Sequence, residues 1–288
     1  LLNEYRLQVT TPDPSDRRRP HNDNGPPPNP GATKPHLVDD LVMGLRFFSR
    51  LPTGNRPHER PDLSRIAMAL PFASLIIGIL PALLLLGGGF TGLPKLFVAG
   101  LAVASAVIVT GGMAEDAIAD AADGLFGGAT VERRLEIMKD SRHGTYGVTA
   151  LCLFLLLRVV ALSALSAANP LAAAAIWLAV TLMARSAALW LTVALPPARA
   201  NGASVAAGRV SKFAFALGAV FALILGGILS APGAGLAAYL LAVAAMVTVA
   251  WSWTALCRRL VAGQTGDLIG ALQALAEIAA LSAFLLFL

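Results

Sequence analysis

The sequence predicts an all-α protein: a polytopic membrane helix bundle of about seven transmembrane helices, with an acidic site on its cytoplasmic face. Three observations carry that reading. Of 288 residues, 56% are hydrophobic and only 14% charged, with a mean hydropathy of +0.69. That composition lies outside the range of soluble globules. The apolar residues fall into seven runs of roughly 18 to 23 residues, the length a bilayer demands. One polar stretch, Gly111 to Gly147, interrupts these runs and holds seven of the chain's 17 acids.

The elements follow in chain order. Residues 1–36 are Pro-rich, polar and aperiodic, and are expected to form a disordered cytoplasmic tail. No apolar h-region marks a signal peptide, so none is expected. Residues 37–288 then form one integral membrane domain. Its first segment, LVDDLVMGLRFFSR (37–50), reads as an amphipathic surface helix, with Leu41, Leu45 and Phe48 on one face and Asp39, Asp40, Arg46 and Arg50 largely elsewhere. Spans are expected near 68–88, 94–112, 147–167, 171–194, 212–231, 235–256 and 268–288. With the basic tail inside, the loops at 113–146, 195–211 and 257–267 also fall inside and carry the Lys and Arg residues. The loops at 89–93, 168–170 and 232–234 carry none. The positive-inside rule thus puts every long polar loop on the cytoplasmic face and the C-terminus outside. The net charge of +5 is explained by this rule. A nucleic-acid partner is excluded, because no basic surface interleaved with aromatics is present.

The polar stretch carries the chemistry. Asp116, Asp120 and Asp123 stand at i, i+4 and i+7, so a helix presents them on one face. Like charges so placed repel, and a bound cation relieves them. Oxygen ligands without Cys or paired His suit Mg²⁺ or Mn²⁺ rather than zinc. The helix is expected to end near Asp123-Gly124, with a turn at Gly127-Gly128 and Thr130 as the N-cap of the next helix. Folded back, that second helix would aim Asp140 at the triplet, with Arg133, Arg134, Lys139 and Arg142 around it. Acids for a metal beside bases for phosphate suit metal-assisted phosphoryl transfer. The alternative is a solvated loop whose charges only keep it in water.

Other charges lie within or beside spans. Arg158 and Arg185 sit inside spans, and Arg158 is deep enough to need a carboxylate partner. Glu277 lies inside the last span. Arg199, in the stiff turn LPPARANG (195–202), is a phosphate ligand or only a topology signal. Asp267, in the Gly-rich turn GQTGDLIG (263–270), is a site residue or only a helix cap. Cys152 and Cys257 lie in apolar segments and read as bystanders.

GGMAEDAIADAADGLFGG followed by RRLEIMKDSRHGTYG resembles the signature of cobalamin synthase, the adenosylcobinamide-GDP ribazoletransferase family. FFSRLP at 47–52, Pro71 with Gly78, Arg185, LPPARANG and QTGDLIGA (264–271) extend the resemblance over residues 38–288. Two positions depart from the family pattern: Ala114, where a His is common, and Ala117, where a Gly is common. The resemblance implies a Mg²⁺-dependent transfer, with Mn²⁺ as an alternative, in the plasma membrane of a prokaryote. A ribose hydroxyl of α-ribazole, or of its 5′-phosphate, attacks the phosphorus borne by cobinamide in adenosylcobinamide-GDP, and GMP leaves. The site residues expected on this basis are Asp140, Asp120 and Glu115 as catalytic groups and Asp116, Asp120, Asp123 and Asp140 as metal ligands. The expected substrate contacts are Arg133, Lys139, Ser141, Arg142, Arg158, Arg185, Arg199 and Asp267.

Three other functions predict different features. A CDP-alcohol phosphotransferase would continue Asp120-x₂-Asp123-Gly124 with Ala-Arg, where this chain has Phe126-Gly127. A cation transporter would spread its acids through several spans and show internal repeats. A non-catalytic membrane anchor would tolerate loss of the acid triplet.

Overall fold

The computed structural model describes residues 37–54, 61–140, 142–199 and 208–287. The expected tail (1–36), Ser141 and residues 200–202 of the LPPARANG turn lie outside the described residues. All regular structure within them is helical. The order is α1 Leu37–Phe48, α2 Leu63–Gly89, α3 Lys95–Thr110, α4 Met113–Gly127, α5 Val131–Ile137, α6 Thr145–Ala168, α7 Pro170–Ala188, α8 Trp190–Ala194, α9 Lys212–Ala234, α10 Leu236–Val261 and α11 Gly266–Leu285.

Six of these elements are long and apolar enough to cross a membrane: α2, α6, α7 continued by α8, α9, α10 and α11. The seventh candidate is the α3–α4 pair, which bends by 86°. The bend has a local cause. Gly111 and Gly112 both adopt left-handed backbone, at φ 69° and 73°, a conformation that L side chains resist. Gly111 closes α3 by donating its N–H to the Ile108 carbonyl. α3 covers the expected 94–112 segment, and α4 turns off its axis.

α7 forms the centre of the bundle. Ala173, Ile176, Trp177, Val180, Leu182 and Ala184 are all buried among α2, α6, α9 and α11. By contrast, α9 and α10 turn Ile224, Ile228, Leu240, Val247 and Trp251 outward, an apolar surface that hydrocarbon solvates. Small residues allow close helix contact, as in other membrane bundles. A methyl group on Gly218 of α9 would collide with the Ala67 carbonyl of α2.

Three local expectations are corrected. The buried face of α1 is Asp40, Met43, Gly44 and Phe48, not the purely apolar stripe. Asp40 is accommodated there because Arg65 of α2 meets its carboxylate at 2.6 Å. α2 starts five residues before the expected 68, because Asp62 caps it by accepting from the Ser64 and Arg65 amides. α4 runs past Asp123-Gly124 to Gly127, because the Gly124 carbonyl still accepts from the Gly128 N–H and the chain leaves the helix only at Gly128; Gly124 itself packs against Met138 with no room for a side chain. Thr130 caps α5 as expected, accepting from the Arg133 amide.

Candidate active site

α4 is built from Ala and acids, and its small side chains let it pack between α6 and α11. Ala117 of α4 stands against Gly270 of α11 with no space for a side chain at Gly270. The three aspartates of α4 emerge into different surroundings. Asp116 is exposed, Asp120 half-buried and Asp123 buried. A cavity of about 680 Å³ opens beside them. Buried Glu115, Arg185 and Gln273 line its inner end, and Asp116 and Asp267 line its wall. Arg50 and His143 lie at its exposed side.

Two loops bring the C-terminal motifs to this cavity. Pro197 and Gln264 form an isolated bridge, in which Ala198 donates to the Gln264 carbonyl and Gln264 donates to the Pro196 carbonyl, both at 2.9 Å. This short ladder joins the LPPARANG and QTGDLIGA segments and sets Arg199 within electrostatic reach of Asp267. The cap of α11 is Thr265, which accepts from the Leu268 amide. Asp267 is therefore released from the capping role and turned to the cavity.

Asp120 sits next to this cavity, and its carboxyl is pushed up to about 7. Desolvation is the main cause; the negative charges of Asp116 and Asp267 add to it, and His143 opposes it. The His143 Nδ1 stands 3.7 Å from the Asp120 carboxylate. His143 was not among the residues expected from sequence, although it lies in the quoted DSRHGTYG motif. Nothing in its spacing marks it; only the fold brings residue 143 back over residue 120.

The remaining expected site residues divide by environment. Asp123 accepts from the Gly144 amide at 2.6 Å and the Gly147 amide at 2.8 Å, so both its oxygens hold the start of α6. Asp140 is paired with Arg142 at 2.8 Å, which holds its carboxyl down to about 2. Asp140 was expected to face the aspartate triplet; the group that stands beside Asp120 is His143, and Asp140 is engaged by Arg142. Arg133 pairs with Glu136 on the exposed face of α5, and Lys139 is exposed. Arg199 donates to the Leu135 carbonyl at 2.7 Å, tying its turn to α5.

Arg158, expected as a substrate contact, is engaged by two carboxylates. Its Nη1 meets Glu115 and its Nε meets Glu277, each at 2.6 Å. The guanidinium also lies over the Phe154 ring, 4.7 Å from its centroid. The need for a carboxylate partner deep in the span is thus met twice. One Glu115 oxygen remains without a partner. Arg185, next to this network, donates no hydrogen bond among the described residues, although it is only 4% exposed.

No three His, Cys, Asp or Glu side chains among the described residues converge as a ready-made metal site. The donors that are present nonetheless fit Mg²⁺. They are carboxylate oxygens, and their negative charges add to the desolvation that raises Asp120. Mg²⁺ is held by one or two carboxylates plus waters and substrate phosphate oxygens, so a fully formed protein cage is not required.

The model of the family described as cobalamin-5-phosphate synthase matches residues 40–285. Among similar proteins, one from Azorhizobium caulinodans is 44% identical over 255 residues, covering 87% of this chain and 97% of its own. One from Xanthobacter autotrophicus is 43% identical over 257 residues, with the same two coverages. One from a Sinorhizobium species is 40% identical over 257 residues. All three bear the name adenosylcobinamide-GDP ribazoletransferase. No solved structure matches the chain.

Proposed function

The chain belongs to the cobalamin-5-phosphate synthase family, and from that premise we propose that it joins adenosylcobinamide-GDP to α-ribazole or its 5′-phosphate, releasing GMP. The observation that carries this reading is the single cavity that holds Asp116 and Asp267 on its wall and unpaired, buried Arg185 at its inner end. Carboxylates for a cation beside a guanidinium for phosphate form a phosphoryl-transfer site. The cavity is the size of a drug-like ligand site, so it takes the diphosphate region while the corrinoid projects from its open side.

In this reaction an acceptor ribose oxygen forms a bond to the phosphorus attached to cobinamide. The bond from that phosphorus to the GMP oxygen breaks, and its electron pair leaves with GMP. The acceptor hydroxyl proton passes to a carboxylate. Asp120 is suited to take it, because its carboxyl titrates near neutrality. Asp140, held at about 2 by Arg142, is a poor base. Asp116 and Asp267 would hold Mg²⁺, or Mn²⁺. When bound, the ion neutralises charge on the diphosphate. Arg185 binds a phosphate oxygen, an arrangement that would satisfy its buried donors. The site faces the cytoplasm in this reading, which the charge asymmetry of the loops supports.

The test uses protein purified in detergent, mixed with adenosylcobinamide-GDP and α-ribazole 5′-phosphate, with and without Mg²⁺, with GMP and corrinoid product followed by chromatography. Metal-dependent product is expected, and Asp120→Asn is expected to lower the rate about 10²- to 10⁴-fold. Because the base must be ionised, the wild-type rate should rise as pH increases through about 7. Product formed at the same rate by Asp120→Asn would remove that residue from the mechanism. The absence of product from folded wild-type protein would remove the function.

A further inference from the structure

We propose that Arg50 is a second phosphate-binding residue of this cavity, in addition to Arg185. The inference rests on the diphosphate chemistry above and adds a residue that the expected site did not include.

Three observations support it. Arg50 lines the same cavity as Asp116, Asp267 and Arg185, and among the described residues its guanidinium has no ion pair or hydrogen bond. Its position is fixed by the fold. The Arg50 backbone N–H donates to the Val109 carbonyl at 2.7 Å, fastening the end of the α1 segment to the last turn of α3. Its side chain then lies across Gly111, where an added Cβ would come within 2.6 Å of Nε. Gly111 therefore serves twice: it supplies the φ of 69° at the bend, and it leaves the space in which Arg50 reaches the cavity. The third observation is Arg185 itself, a buried guanidinium with no acceptor, which marks the cavity as built for an anion.

Two guanidiniums, Arg50 and Arg185, line one cavity with the carboxylates of Glu115, Asp116 and Asp267, and Glu115 is already held by Arg158; the two guanidiniums match a ligand with more than one phosphate. Arg185 is buried among the spans, so it suits the phosphate that is enclosed. Arg50 is exposed, so it meets a phosphate near the opening. That phosphate belongs either to the donor diphosphate or to a 5′-phosphate on the acceptor. The shared chemistry is a phosphate oxygen accepting from a planar guanidinium.

The experiment measures KM and kcat for Arg50→Gln and Arg50→Lys with each acceptor, α-ribazole and α-ribazole 5′-phosphate. Binding of inorganic pyrophosphate and of α-ribazole 5′-phosphate is titrated in parallel, as two readouts free of turnover. Arg50→Gln is expected to raise a KM about 10- to 100-fold, the factor for losing one charge-assisted hydrogen bond, with Arg50→Lys in between. A rise confined to the phosphorylated acceptor assigns Arg50 to the acceptor. A rise in donor KM with both acceptors, together with weaker pyrophosphate binding, assigns it to the donor. Unchanged KM values, with unchanged binding of both pyrophosphate and α-ribazole 5′-phosphate in Arg50→Gln, would overturn the proposal. A fall in kcat alone, equal in the Gln and Lys variants, would also overturn it, because that pattern marks support of the α3–α4 bend. Inactivity of wild type would count against the proposed reaction, and the two binding titrations would still judge Arg50: weaker binding of either ligand supports it, and unchanged binding of both overturns it.

Discussion

The molecule uses the same ion-pair chemistry in two places with opposite consequences. In the bundle interior, Arg158 bridges Glu115 and Glu277 and joins α6 to α4 and α11. All three side chains are less than 10% exposed. On the α5 side of the polar stretch, Arg133 pairs with Glu136, and Arg142 with Asp140, in contact with solvent. The distances are nearly equal, between 2.6 and 2.8 Å. Geometry alone therefore does not rank these pairs; the surrounding medium does. A charge removed from water and lipid alike must keep its partner, whereas a solvated charge loses little when its partner is removed.

The sharpest way to break this comparison is Arg158→Ala. It leaves two carboxylates buried against each other, and a loss of about 3–5 kcal/mol is expected. The measurement is thermal unfolding in detergent, together with the yield of folded protein. Replacing all three members with apolar residues of similar volume should recover much of that loss, because no orphan charge remains. If Arg158→Ala unfolds at the wild-type temperature, water reaches the network and the distinction between the two regions fails.

An intermediate case is Asp123, a carboxylate buried at the edge of the bundle whose partners are backbone amides. It caps the start of α6 through Gly144 and Gly147. Asp123→Ala is expected to cost about 0.5–2 kcal/mol, as for other caps, and to shift α6 away from α4. Activity should fall with stability. A variant of unchanged stability that has lost metal dependence would instead place Asp123 with the cation.

The contrast also explains what could be read from the sequence. The spans were legible because lipid imposes a length and a composition on each segment. The acid face of α4 was legible because helical spacing is local. The need of Arg158 for a carboxylate followed from depth alone, without knowledge of which acid would supply it. What remained hidden depended on long-range geometry. Two glycines, 111 and 112, turn α4 by 86° and decide which loop covers it. That turn brings His143, not Asp140, to Asp120, and commits both oxygens of Asp123 to α6. Arg50 lies 61 positions before Gly111 in the chain, and only its anchor on Val109 reveals that they meet.

The smallest effect belongs to Arg133, and it probes the other side of the comparison. Its pair with Glu136 has both side chains at least 60% exposed, so Arg133→Ala should change stability by no more than about 0.5 kcal/mol. Arg133 was also expected to contact substrate, and the two roles separate by salt. A solvated pair loses its small contribution as ionic strength rises, because screening acts most strongly on exposed charges. A rise in KM for the variant at constant stability would mean that α5 swings Arg133 onto the phosphate during turnover. Unchanged KM and unchanged stability would leave α5 a solvated face, with phosphate recognition carried by the cavity alone.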